Sequence, residues 1–157
     1  MALTADIILG WRKPRQVLRR HLMRGKSEAF AFSLLVTFLL MAYVALWPGL
    51  SRLSVLHPEV PLIQRMFAAA LAVLASIPLW YLLAALSHLI GRRLGGGGSY
   101  YGARLALFAA LLTVTPAMLL QGLVGGLIGP GRQLDILGII VGAGFFWIWL
   151  SMLAEAE

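Results

Sequence analysis

Four long apolar runs, separated by short polar breaks, dominate the chain from residue 29 onward. The first, Ala29 to Trp47, carries no charge and ends at Trp47-Pro48-Gly49. As a helix it rises about 28 Å, close to the thickness of bilayer hydrocarbon. The second, Phe67 to Gly91, holds Pro78 near its middle and is stopped by Arg92 and Arg93. It exceeds the minimum for a crossing, so it should tilt or kink. The third, Leu105 to Ile128, has a central Pro116 and closes on Gly129-Pro130-Gly131. The fourth, Ile136 to Leu153, is followed by Glu155, Ala156 and Glu157. Residues 48–66, with prolines at 48, 58 and 61, read as a loop containing a short interfacial turn over 51–56. Gly95 to Gly98 read as a flexible turn of the glycine-rich kind.

Residues 1–28 form a separate polar segment. Ile7, Ile8, Leu9 and Trp11 precede a break at Arg12-Lys13-Pro14. Val17, Leu18, His21 and Leu22 then recur at helical spacing, with Arg15, Arg19 and Arg20 on other positions. This pattern predicts one or two short amphipathic helices at the membrane interface, with Pro14 in the first turn, where its missing N–H costs nothing. The expected organisation is a basic segment, 1–28, and a four-span membrane domain, 29–157. The basic leader is long, the first run is too long for a signal peptide, and no Ala-x-Ala site follows it. The first run therefore reads as a retained helix.

Composition fits that reading. Apolar residues are 61% and charged residues 12% of the chain, against about 45–50% and about 25% in an average soluble domain. This points to an all-α integral membrane bundle and excludes a disordered chain. The formal charge of +7 is not a nucleic-acid signature, because seven of the thirteen Lys and Arg residues precede residue 27. These are Arg12, Lys13, Arg15, Arg19, Arg20, Arg24 and Lys26, and they are expected to contact anionic lipid headgroups. With the N-terminus inside, ten Lys and Arg fall on the cytoplasmic side and three (Arg52, Arg65, Arg132) on the other. Both termini are then cytoplasmic. Trp47 and Trp149 fall near span ends as belt residues, whereas Trp80 and Tyr81 should pack inside the bundle.

Catalytic and cofactor chemistry finds no constellation. With no cysteine there is no thiolate, and His21, His57 and His88 have no ligand partner at helical spacing. His88 reads as an interfacial polar residue in the last turn of the second span. No Asp or Glu lies inside a span, which argues against ion coupling. The glycine run lacks the Lys and the strand context of a phosphate loop. No cofactor and no metal are expected.

Two features remain. Gly122 and Gly126, Gly125 and Gly129, and Gly138 and Gly142 are four apart and stack on helix faces that admit close backbone approach. They should pack the third span against the fourth, the alternative being a homodimer or a docking face for another membrane protein. Pro78 and Pro116 coincide at an offset of 38 residues, together with Leu82 and Leu120. Broken helices at the midplane build transporter sites, but simple kinks are the expectation. Ser76, Thr113 and Thr115 are placed to satisfy the carbonyls that the prolines free.

The stretch GGGGSYYGARLALFAALLTVTPAM, from Gly95 to Met118, resembles the Yip family (Ypt/Rab-interacting proteins) in its bacterial branch. A glycine-rich turn leads through a small polar residue and aromatics into a span broken by proline. Pro14-Arg15-Gln16-Val17-Leu18-Arg19-Arg20 is similar to the family's basic segment before its first span. The resemblance implies a multi-span protein with a cytoplasmic N-terminus. Family members usually have five spans, against four here. The eukaryotic Asp-Leu-Tyr-Gly-Pro motif is reduced to Tyr101-Gly102, so GTPase binding is not carried over. Abundant Arg, Ala and Gly with only two Lys suit a GC-rich bacterium and its inner membrane. The expected function is a non-enzymatic scaffold acting through protein or lipid contacts. The alternatives are an accessory subunit of a larger membrane complex and a small transporter or channel around the proline-broken spans.

Overall fold

The computed structural model describes residues 3–157. The described residues form seven helices: α1 (Leu3–Arg12), α2 (Pro14–Leu22), α3 (Glu28–Leu56), α4 (Leu62–Ala75), α5 (Ile77–Arg93), α6 (Tyr100–Leu127) and α7 (Arg132–Ala156). Helices α3, α6 and α7, and α4 continued by α5, are each long and apolar enough to cross a membrane. The chain is an all-α membrane bundle.

Helix α6 is its axis. Tyr101 to Ala103 and Leu105 to Thr115 are buried, and Phe108, Leu105 and Leu107 are wholly enclosed. Helix α3 packs along α6, α7 takes a second side and α5 a third, while α4 rests on α3. Lipid removes the hydrophobic drive between helices, so close packing must hold these faces together. Accordingly α6 meets its neighbours through alanines 103, 106, 109 and 110 and through glycines.

The helices run further than the apolar runs predict. Ser27 caps α3 by accepting from the Phe30 N–H (3.2 Å), and Ser99 caps α6 by accepting from the Gly102 N–H (3.1 Å). Helix α6 therefore starts before Arg104, whose guanidinium pairs with Glu28 at 2.6 Å. Trp47-Pro48-Gly49 does not end α3, which continues to Leu56 with Pro48 inside it. Most of the expected 48–66 loop is thus helical, and Arg52 lies on a helix. The reason is tertiary: the Pro48 ring seats against Gly126, where any side chain would collide with it.

The prolines of the second and third spans are not equivalent. Pro78 stands in the first turn of a new helix, after a break at Ser76. Pro116 sits inside a continuous α6. The carbonyl it frees, Leu112 O, accepts from Thr115 Oγ1 at 2.7 Å. Ser76 does not serve Leu74 O, the carbonyl four residues before Pro78: it donates to Val73 O at 2.6 Å while accepting from Trp80 Nε1 at 3.0 Å. Trp80 meets Phe38 edge-on and Tyr81 meets Phe108, both half-buried. Trp149 is not a belt residue. It is 8% exposed and stacks on Phe145.

Candidate membrane-contact sites

Arg19–Glu155, Arg104–Glu28 and His88–Glu157 tie together residues of one end of the bundle. At the other end Arg52 reaches the carbonyls of Gly126 and Leu127 (3.4 Å each), and Arg65 bonds those of His57 and Val60. Cations at the C-terminus of α6 satisfy carbonyls that the helix leaves unpaired. Gly129, at φ +90°, makes room for the Arg52 guanidinium.

Helices α1 and α2 turn their apolar faces to the bundle, not to lipid. Val17 (1% exposed), Leu18 and His21 of α2 are buried, and Val17 and Leu18 belong to the same core cluster as α3, α6 and α7. Trp11 of α1 donates its indole N–H to Thr113 O at 2.9 Å, one turn before Pro116. Gly10 lies so close that a Cβ there would sit 2.6 Å from the Thr113 side chain, and Gly144 of α7 receives the Trp11 ring. Burial lowers the pKa of His21, the Asp6 carboxylate raises it part of the way back, and Arg24 lowers it again.

The seven basic residues separate accordingly. Arg12, Lys13 and Arg15 are exposed around the α1–α2 turn. Arg19 pairs with Glu155 at 2.8 Å, and Arg24 stacks over Phe30. Arg20 and Lys26 are exposed. Lys13, Pro14, Arg15, Gln16 and Arg19 face Trp147, Ser151 and Glu155 of α7 across a cleft of about 590 Å³.

The glycine pairs also divide. Gly122 closes on the Ala45 backbone and Gly126 on Pro48, so this pair seats α3 rather than α7. Gly125 meets Leu134, and Gly138 meets Gln121, across the α6–α7 contact. Gly142 has open space where a Cβ would be. Both Gly138 and Gly142 border an apolar groove of about 710 Å³, walled by α3, α4, α6 and α7. Ser76 and Trp80 beside the α4–α5 break line it, with Val114 and Met118 flanking Pro116, and every lining residue is uncharged.

The glycine run is a seat as much as a turn. The Gly97 N–H donates to Glu157 O at 2.7 Å, and a Cβ on Gly91, Gly96 or Gly98 would strike Glu157 or Ala156. That seat brings the Glu157 carboxylate to His88 Nδ1 at 2.7 Å, with Tyr100 packed across the imidazole. His88 is therefore buried (3% exposed) and paired rather than interfacial. Its partner lies 69 residues away, beyond the reach of any spacing rule.

No curated protein and no solved structure matches the chain. The family model of the Yip1 domain matches residues 10–156. That span includes most of the basic segment, all four crossings and the glycine seat, so the chain belongs to the Yip1 domain family, whose members are membrane-associated proteins.

Proposed function

We propose that this protein is a non-enzymatic Yip-type scaffold that works inside the bilayer, through lipid and through the membrane helix of a partner. The observation that carries this reading is the groove. It is apolar and uncharged, and its walls hold Ala69, Ala72, Gly138 and Gly142. Small residues let a foreign helix backbone approach closely, which is what drives helix association in lipid. The bland counterpart, a groove filled by acyl chains alone, is separated from it by experiment. Gly142→Phe fills the open position without touching the α3–α6 contact. A partner that co-purifies stoichiometrically in mild detergent should be lost in this variant. Co-purification unchanged in Gly142→Phe, or no partner in either, overturns the helix-docking reading.

The setting we infer is a bacterial inner (cytoplasmic) membrane with both termini in the cytoplasm. The ten-to-three division of Lys and Arg between the two ends supports the orientation. The chain has no cysteine, so single cysteines at 57, 97 and 131 can be labelled from either side. Position 97 should label from the cytoplasm and the other two from outside, and the opposite pattern refutes the orientation.

One observation favours a second reading, a small transporter. Ser76 at the α4–α5 break, and Val114 and Met118 on either side of Pro116, line the same groove. Solute flux in liposomes that disappears in Pro78→Ala or Pro116→Ala would establish it in place of the scaffold.

A further inference from the structure

We infer that the cleft between the α1–α2 turn and α7 is a binding site for the phosphate of one anionic phospholipid, at the inner edge of the headgroup layer. Lys13 and Arg15 face Trp147 of α7, and α7 begins at Arg132. Fifteen residues of helix rise about 22 Å. The hydrocarbon core is about 30 Å thick. With Arg132 at one boundary, the Trp147 end of the cleft lies about 8 Å short of the other, while Ser151 and Glu155 carry its mouth up to that boundary, so the cleft opens from the hydrocarbon into the headgroup layer. Trp11 pins the turn at this level through Thr113 and Gly144.

Cations at the inner end of the cleft are costly unless an anion accompanies them or water and headgroups are drawn in. The cleft has one carboxylate, Glu155, and Arg19 already occupies it at 2.8 Å. Lys13 and Arg15 therefore supply the excess positive charge, with Ser151 beside them as a hydroxyl donor. A phosphodiester suits that set, since both cations can donate to its oxygens. The surface next to the cleft is apolar: Trp147 is 53% and Leu150 55% exposed on α7. It offers a path for acyl chains that a free phosphate would not use. Charge complementarity below and beside an apolar strip selects a lipid over a soluble anion or an acidic peptide.

This inference rests on the bilayer residence proposed above and not on helix docking in the groove, which lies on another face of α7. The test uses the full chain, purified with mixed phosphatidylglycerol and phosphatidylcholine and examined by native mass spectrometry. One phosphatidylglycerol should be retained in preference to phosphatidylcholine. Lys13→Gln with Arg15→Gln should weaken retention about thirtyfold, each basic residue near an anionic surface being worth about fivefold. Arg92→Gln with Arg93→Gln, which removes equal charge elsewhere at the same end, should leave retention unchanged. Ser151→Phe fills the cleft with every cation in place and should also abolish retention, so the result does not hang on one variant. Helical circular dichroism checks that each is folded. Equal retention of the two lipids, an equal loss in the Arg92 and Arg93 variant, or full retention in both cleft variants overturns the site. Displacement of the lipid by millimolar inorganic phosphate or by a soluble acidic peptide overturns the assignment to lipid.

Discussion

Replacing Trp11 by Phe removes one hydrogen bond and keeps most of the ring packing, so it isolates what holds the N-terminal hairpin in the bundle. The bond runs from the indole N–H to Thr113 O at 2.9 Å and is partly buried. A bond of this kind contributes about 1 kcal/mol net. At about 0.6 kcal/mol for RT, its loss should raise the opening constant of the hairpin about fivefold. A cysteine at position 17 reports that opening: Val17 is 1% exposed, Cys is close to it in size, and the chain has no other thiol. With opening and closing faster than reaction, maleimide labelling of Val17→Cys should accelerate about fivefold in Trp11→Phe. Gly10→Leu should accelerate it more, because its side chain would drive into Thr113. The reference is Met23→Cys, since Met23 is 80% exposed and its labelling should not change. If Val17→Cys labels slowly and alike in all three backgrounds, the contact at Thr113 does not hold the hairpin and the depth argument for the lipid cleft fails with it.

Three further outcomes are expected. Gly126→Val should lower stability in detergent by about 1–3 kcal/mol, because it forces α6 off the Pro48 backbone. Gly142→Ala, facing open space, should stay within about 0.5 kcal/mol, and thermal unfolding of the two side by side checks the contrast. Pro78→Ala should change stability by less than about 1 kcal/mol, since a first-turn proline loses no helix bond, and the same unfolding assay measures it. Hairpin docking should depend on pH through His21. Its docked pKa lies below 6.5, so the undocked state binds more protons as pH falls through 6.5, and docking is full above that value and weakens below it. Labelling of Val17→Cys, normalised to Met23→Cys, should accelerate on acidification, and His21→Gln should flatten the response.

What could be read from the chain itself was whatever depends on local pattern. Length and apolarity of the runs determine four crossings, because a helix is the open-chain form that satisfies its own backbone in lipid. The caps are local as well, but runs of apolar residues pass over them: Ser27 and Ser99 start α3 and α6 ahead of the expected Ala29 and Leu105. The hydroxyl one residue before Pro116 could be read as the donor for the freed carbonyl, since i to i−3 geometry is set within one turn. Family membership also lay in the chain, in the glycine turn and the proline-broken span that follows it.

What only the tertiary structure decided concerns contacts between residues far apart in the chain. Trp-Pro-Gly reads as a stop, yet α3 passes through it because Gly126, 78 positions later, leaves a seat for Pro48. Amphipathic spacing in α2 states that one face is buried but not by what, and lipid and α7 are equally apolar partners for Val17 and Leu18. Gly122 and Gly126 announce a close approach without naming the helix that makes it. His88 meets Glu157 only because the glycines at 91, 96 and 98 leave no side chains between them. In each case periodicity specifies a face, and the choice among chemically similar faces is made by shape when the whole bundle packs.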